Sequence, residues 1–88
     1  MNKNLQELLN WFGGLPKESN PDDLYDMGFK TVIYGDKVIC WTDTCHGCYA
    51  AVYRKVSNSK YDDTCTFETV SNDFFEDGGH AIEWAIAQ

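Results

Sequence analysis

Four cysteines are the residues in this chain best suited to chemistry. Cys45-His46-Gly47-Cys48 has the C-x2-C spacing at which a tight turn aims two sulfurs at one ion while its backbone N–H groups support the thiolates. Glycine eases such a turn. A structural zinc needs four ligands in a tetrahedron, and Cys40 and Cys65 are the remaining thiols, with His46 and His80 in reserve. The expectation is a structural Zn2+ held by Cys40, Cys45, Cys48 and Cys65.

The same sulfurs admit other readings. Cys40, Cys45 and Cys48 have the C-x4-C-x2-C spacing of plant-type [2Fe–2S] ferredoxins, with Cys65 as a fourth ligand, which would make the chain an electron carrier. Against this, the intervening Trp41-Thr42-Asp43-Thr44 is bulky where such a loop uses small residues, and only 16 residues separate Cys48 from Cys65. A thioredoxin-like role would need the C-x2-C to cap a helix, yet Tyr49 to Val56 has the composition of a strand. Disulfide bonds and uncoordinated thiols complete the alternatives, since free cysteine often packs as a small apolar residue. Cys45 beside His46 lacks a third, orienting group, and no phosphate-cradling glycine motif, H-E-x-x-H or G-x-S-x-G occurs. The chain therefore reads as a binder and not an enzyme.

The elements that must position these residues can be read from periodicity. Leu5, Leu8, Leu9 and Phe12 fall on one helical face, predicting a helix over 3–12 that Gly13-Gly14 ends. Asn20-Pro21-Asp22-Asp23 starts a second, short helix running to Met27. Strands are predicted over 30–34, 37–42, 49–56 and 65–70, the first two joined by Gly35-Asp36 as a tight hairpin. Ser57 to Thr64 reads as a polar loop. Ser71-Asn72-Asp73 offers caps for a final helix whose apolar stripe is Ala81, Ile82, Trp84, Ala85 and Ile86, with Gly78-Gly79 interrupting its start. The predicted fold is one α+β domain over residues 1–88: a four-stranded antiparallel meander with helices over one face, stapled by zinc. At 88 residues there is room for one core, and a chain this short gains from such a staple.

Charge narrows the partners. Residues 1–60 carry seven Lys or Arg and seven Asp or Glu, while residues 61–88 carry seven acids and no Lys or Arg, giving the net charge of −7. That field repels phosphate backbones and draws basic protein surfaces. Tyr61, Asp62 and Asp63, with Asp73, Glu76 and Asp77 around Phe74-Phe75, combine hot-spot aromatics with steering charges and are the candidate partner contacts. With no export signal at its start and no long apolar run, the chain is expected in the cytoplasm. In size, acidity, aromatic richness and its four cysteines it resembles small phage-encoded anti-CRISPR proteins, in particular metal-binding type II-A members. That resemblance implies an inhibitor that occupies a basic nucleic-acid surface of Cas9 and blocks loading or cutting of target DNA, in the cytoplasm of a bacterial host.

Overall fold

The computed structural model describes every residue of the chain except Phe12 and Asn58. Helix α1 (Lys3–Trp11) starts where the Asn2 side chain accepts hydrogen bonds from the backbone N–H groups of Asn4 and Leu5 at 2.9 and 3.2 Å, and it buries Leu5 and Leu9. The predicted last residue of that helix, Phe12, lies outside the described residues. Strand β1 (Glu18–Ser19) leads into α2 (Pro21–Asp26). Asn20 caps α2 by accepting from the Asp23 N–H at 2.8 Å, and Pro21 supplies the helical φ of the first turn.

Strands β2 (Lys30–Tyr34), β3 (Lys37–Thr44), β4 (Gly47–Lys55) and β5 (Cys65–Val70) follow, then α3 (Gly78–Ile86). All neighbouring strands are antiparallel, in the order β1-β5-β4-β3-β2. The architecture is thus α+β, as expected, with five strands instead of four. The additional one, β1, is only two residues long and pairs Glu18 with Thr66 and Ser19 with Cys65. Two residues carry no periodicity, which is why the sequence does not announce it.

The larger correction concerns the layers. Helices cover both faces of the sheet, not one. On the first face Leu5 and Leu9 of α1, Leu24 of α2 and Phe29 pack with Val38, Cys40, Tyr49, Ala51, Tyr53 and Cys65. On the second, Ala81 and Ala85 of α3 pack with Ile39, Cys48, Ala50 and Val52, flanked by Trp41, Phe75 and Trp84. Residues 48–53 of β4 are therefore all buried, the pattern of a strand covered on both sides. The unbroken apolar run Cys48-Tyr49-Ala50-Ala51-Val52-Tyr53 is the signal for it.

The cap of α3 is Asp77, which accepts from the His80 N–H at 2.9 Å; the Ser71–Asp73 segment expected to cap it does other work. Ser71 is fully buried and ties to Ala50, its N–H donating to the Ala50 carbonyl and its hydroxyl accepting from the Ala50 N–H. Gly78 lets the first turn of α3 rest on Trp41, because a Cβ there would stand 2.9 Å from the indole Nε1. At the other end Lys37 donates to the carbonyls of Ile86 and Gln88, a cation at a helix C-terminus. No helix among the described residues is long and apolar enough to cross a membrane.

Candidate functional site

The four thiols are not gathered into one place. Cys40 and Cys65 are fully buried on the α1/α2 face, whereas Cys48 lies on the opposite, α3 face and Cys45 is exposed at the tip of the β3–β4 hairpin. Alternation along β3 and β4 dictates this, since Cys40 and Ala51 form a cross-strand pair on one side and Asp43 and Cys48 on the other. All four are free thiols. Among the described residues no group of three or more His, Cys, Asp and Glu stands where it could hold a metal ion, and the reserve ligands do not change that. His46 packs against Phe74 with ring centroids 5.7 Å apart, and His80 bonds Asp77 through Nδ1 at 3.1 Å. The residues as placed do not fit a tetrahedral four-cysteine centre.

Their electrostatics are those of protonated core thiols. Burial pushes Cys40 up to about 12, outweighing a backbone hydrogen bond at Ala51. Burial, then the charge of Asp63, raises Cys65 to about 11. For Cys48 burial comes first, followed by its hydrogen bond to the Asp43 carboxylate at 2.5 Å and the charges of Asp43 and Asp77, with Lys30 opposing; the result is about 11. None of these three is a poised nucleophile, which needs a lowered value.

The C-x2-C serves the backbone instead. Cys45-His46 is the two-residue turn joining Thr44 to Gly47, braced by the Thr44 hydroxyl, which donates to the Gly47 carbonyl at 2.7 Å. Gly47 has φ of 126°, and a Cβ there would meet the Phe75 carbonyl at 2.8 Å. This close approach lets Cys48 and Phe75 exchange two backbone hydrogen bonds, 2.9 and 2.6 Å, and so fixes the segment that enters α3.

The six candidate partner contacts separate into two groups at opposite ends of β4. Tyr61, Asp62 and Asp63 lie in the loop beyond the Lys55–Cys65 pair, and Asp73, Glu76 and Asp77 lie beside the Cys48–Phe75 bridge. Cys48 and Lys55 of those pairs are seven residue steps apart along β4, roughly 23 Å. In the first group Tyr61 is 89% exposed with Lys60 over its ring, while Asp62 accepts from the Thr64 N–H and is held below the usual carboxylate range by hydrogen bonding to Thr64. In the second, Asp73 accepts from the Asn2 side chain at 2.9 Å, tying the two ends of the fold together. Asp77 is lowered chiefly by the His80 N–H it caps. Both therefore have structural tasks, and Glu76 is the exposed acid of that group left for a partner.

Glu76 borders a shallow groove that sequence reasoning did not assemble. Its floor is Phe74, Phe75 and Trp84, with Phe75 and Trp84 rings 5.9 Å apart; Glu76, Glu83 and His80 form its rim. Glu83, one helical turn and a half beyond the Asp77 cap, was missed because its neighbourhood depends on how α3 sits on the sheet. Glu76 precedes the Asp77 cap and lies outside α3, so no helical spacing in the sequence links it to Glu83. Acids around half-buried aromatics can receive a cationic side chain by charge and by the ring face.

Comparison with known proteins finds the family described as nucleotide modification associated domain 4, which matches residues 16–88. No curated protein and no solved structure matches the chain.

Proposed function

This chain belongs to the nucleotide modification associated domain 4 family, and from that premise we propose that it is a non-enzymatic, acidic binding module that docks on the basic surface of a nucleic-acid-handling protein. The observation that carries this reading is the aromatic groove of Phe74, Phe75 and Trp84 rimmed by Glu76 and Glu83. It lies in the third of the chain that has seven acids and no compensating Lys or Arg. Such a surface competes with nucleic acid for the same basic partner, because both present negative charge and flat rings. The mode of action is inhibition by occupancy in the cytoplasm: while the acidic module sits on the partner, nucleic acid is kept off. An anti-CRISPR inhibitor of Cas9 is the narrowest form of this proposal, and the family description points more broadly to proteins that modify nucleotides.

The proposal needs no metal, and no step in it passes through the cysteines. The charge reversal that tests it spares Asp73 and Asp77, whose loss would disturb the fold, and uses Glu76→Lys with Glu83→Lys. Binding to purified Cas9 and to purified nucleotide-modifying enzymes with basic active-site surfaces is measured by calorimetry. The double variant should lose binding by about tenfold or more, as expected when two charged contacts of an interface are inverted, with its melting curve unchanged. Undiminished binding by the double variant would remove the groove from the account.

A further inference from the structure

A second concavity, on the opposite face of the sheet, has the chemistry of a small-ligand site. We propose that the cleft between α1, the turn after α2 and the end of β3 binds a single-ring nucleobase, the pyrimidine of a free nucleoside or mononucleotide. Its volume is about 160 Å³, with apolar walls supplied by Leu8, Leu9, Leu15, Met27 and Phe29. An apolar cavity of about 150 Å³ holds a benzene ring, so the space matches one six-membered ring and excludes a larger fused system from full burial.

Two polar features of residues that line this cleft have no hydrogen-bond partner among the described residues. Tyr49 is 97% buried by its 3% exposure and packs edge-on against Phe29, with centroids 5.8 Å apart. Its hydroxyl makes no hydrogen bond among the described residues, and Tyr49 is one of the residues that line the cleft. The second feature is the peptide edge of Asp43. Tyr34 and Lys37 flank a two-residue turn, so the pairs 34–37, 32–39 and 30–41 exchange backbone hydrogen bonds, and residues 37, 39, 41 and 43 of β3 turn their N–H and C=O toward β2. Strand β2 ends at Lys30, opposite Trp41. Asp43 therefore turns its N–H and C=O toward the end of β2, beside the Gly28 carbonyl that accepts from the Thr42 hydroxyl at 3.3 Å, and it lines the cleft, while its carboxylate bonds Cys48 on the other face.

A donor and an acceptor side by side complement the amide or amidine edge of a pyrimidine: N3–H and a carbonyl in uracil, or N3 and the amino group in cytosine. The ring then lies among Leu15, Phe29 and Tyr49, the Tyr49 hydroxyl meets a ring substituent, and the sugar points to solvent. A base within a polynucleotide is disfavoured by the net charge of −7. The family's description, with its reference to nucleotides, agrees with this ligand class. The inference is independent of the acidic groove.

The test is an amide chemical-shift titration of the full chain with uridine and with cytidine, and with toluene as an apolar control. At least one nucleoside should shift the amides of Asp43 and Tyr49 in a saturable manner. Tyr49→Phe should weaken that nucleoside roughly fivefold, the effect of one hydrogen bond, without lowering the melting temperature. Leu15→Trp, which fills the cleft from its rim, should abolish binding. Three results would each overturn the proposal: no saturable shift with either nucleoside, binding of toluene alone, or unchanged nucleoside affinity in Tyr49→Phe. Should Leu15→Trp prove unfolded by its melting curve, Tyr49→Phe decides alone.

Discussion

The two faces of the sheet are packed by different means. On the α1/α2 side large side chains interlock: Leu5, Leu24, Val38 and Tyr53 are completely buried, and the Tyr53 hydroxyl donates to the Pro16 carbonyl at 2.7 Å. On the α3 side the helix approaches through Ala81 and Ala85, and the aromatic rings stand at the edge as a partly open groove. Burying a large apolar side chain contributes about 1.5–3 kcal/mol and an alanine far less, so the buried leucines of α1 and α2 contribute more than the two buried alanines of α3. The second face leaves its aromatics available. A short chain can thus keep its largest buried side chains and a partly open aromatic groove on opposite sides of one sheet.

This contrast can be broken from either side. The largest effect should come from Leu24→Ala, which leaves a cavity beneath α2 and should cost about 3 kcal/mol in a denaturant melt, within the usual 2–5 for such a truncation. A smaller cost would mean that α2 collapses into the space and that the first face is less rigid than its burial implies. Next comes Ala81→Leu, which overfills the close contact of α3 with the sheet and should cost roughly 1–3 kcal/mol. Full tolerance would indicate that α3 can lift away from the sheet.

Titration separates the thiols from the surface. Cys40, Cys48 and Cys65 have folded values of about 12, 11 and 11, raised from 9.0. A raised value means the folded state holds its proton more tightly than the unfolded chain, so the associated stability is complete below about pH 9 and is lost as pH climbs toward 11–12. Melting temperature should therefore be level from neutral pH to about 9 and fall above it. A thiol reagent near neutral pH should label Cys45 alone in the folded protein. The smallest effect belongs to Cys45→Ser, which should leave the melting curve where it was. If that variant instead lost both stability and bound zinc, a metal-held fold would replace the one described here.

How much of this was legible in the sequence depends on the range over which each feature is determined. The Asn20-Pro21 helix start, the Gly35-Asp36 hairpin and the Cys65–Val70 strand are fixed by neighbours a few residues apart, and they stand where the sequence puts them. Strand β1 and the cap at Asp77 are set by tertiary pairing, the first with β5 and the second with the approach of α3 to Trp41. The placement of the cysteines is hidden for a related reason. Their spacing suits a metal, but strand alternation puts Cys40 and Cys48 on opposite faces, and only knowledge of the β3–β4 register reveals it. The acids were visible as a composition bias, whereas their division into two groups near opposite ends of β4 follows from the strand pairing.

The most direct test of the central claim, that the acidic aromatic groove is the docking surface, is calorimetric titration of the protein and its Glu76→Lys/Glu83→Lys variant into a purified basic nucleic-acid-handling protein, at low and at high salt. The account predicts binding by the parent chain that weakens with salt, and loss of that binding in the variant, because exposed charges steer and hold the partner within a Debye length. Equal binding by the two proteins, insensitive to salt, would contradict it.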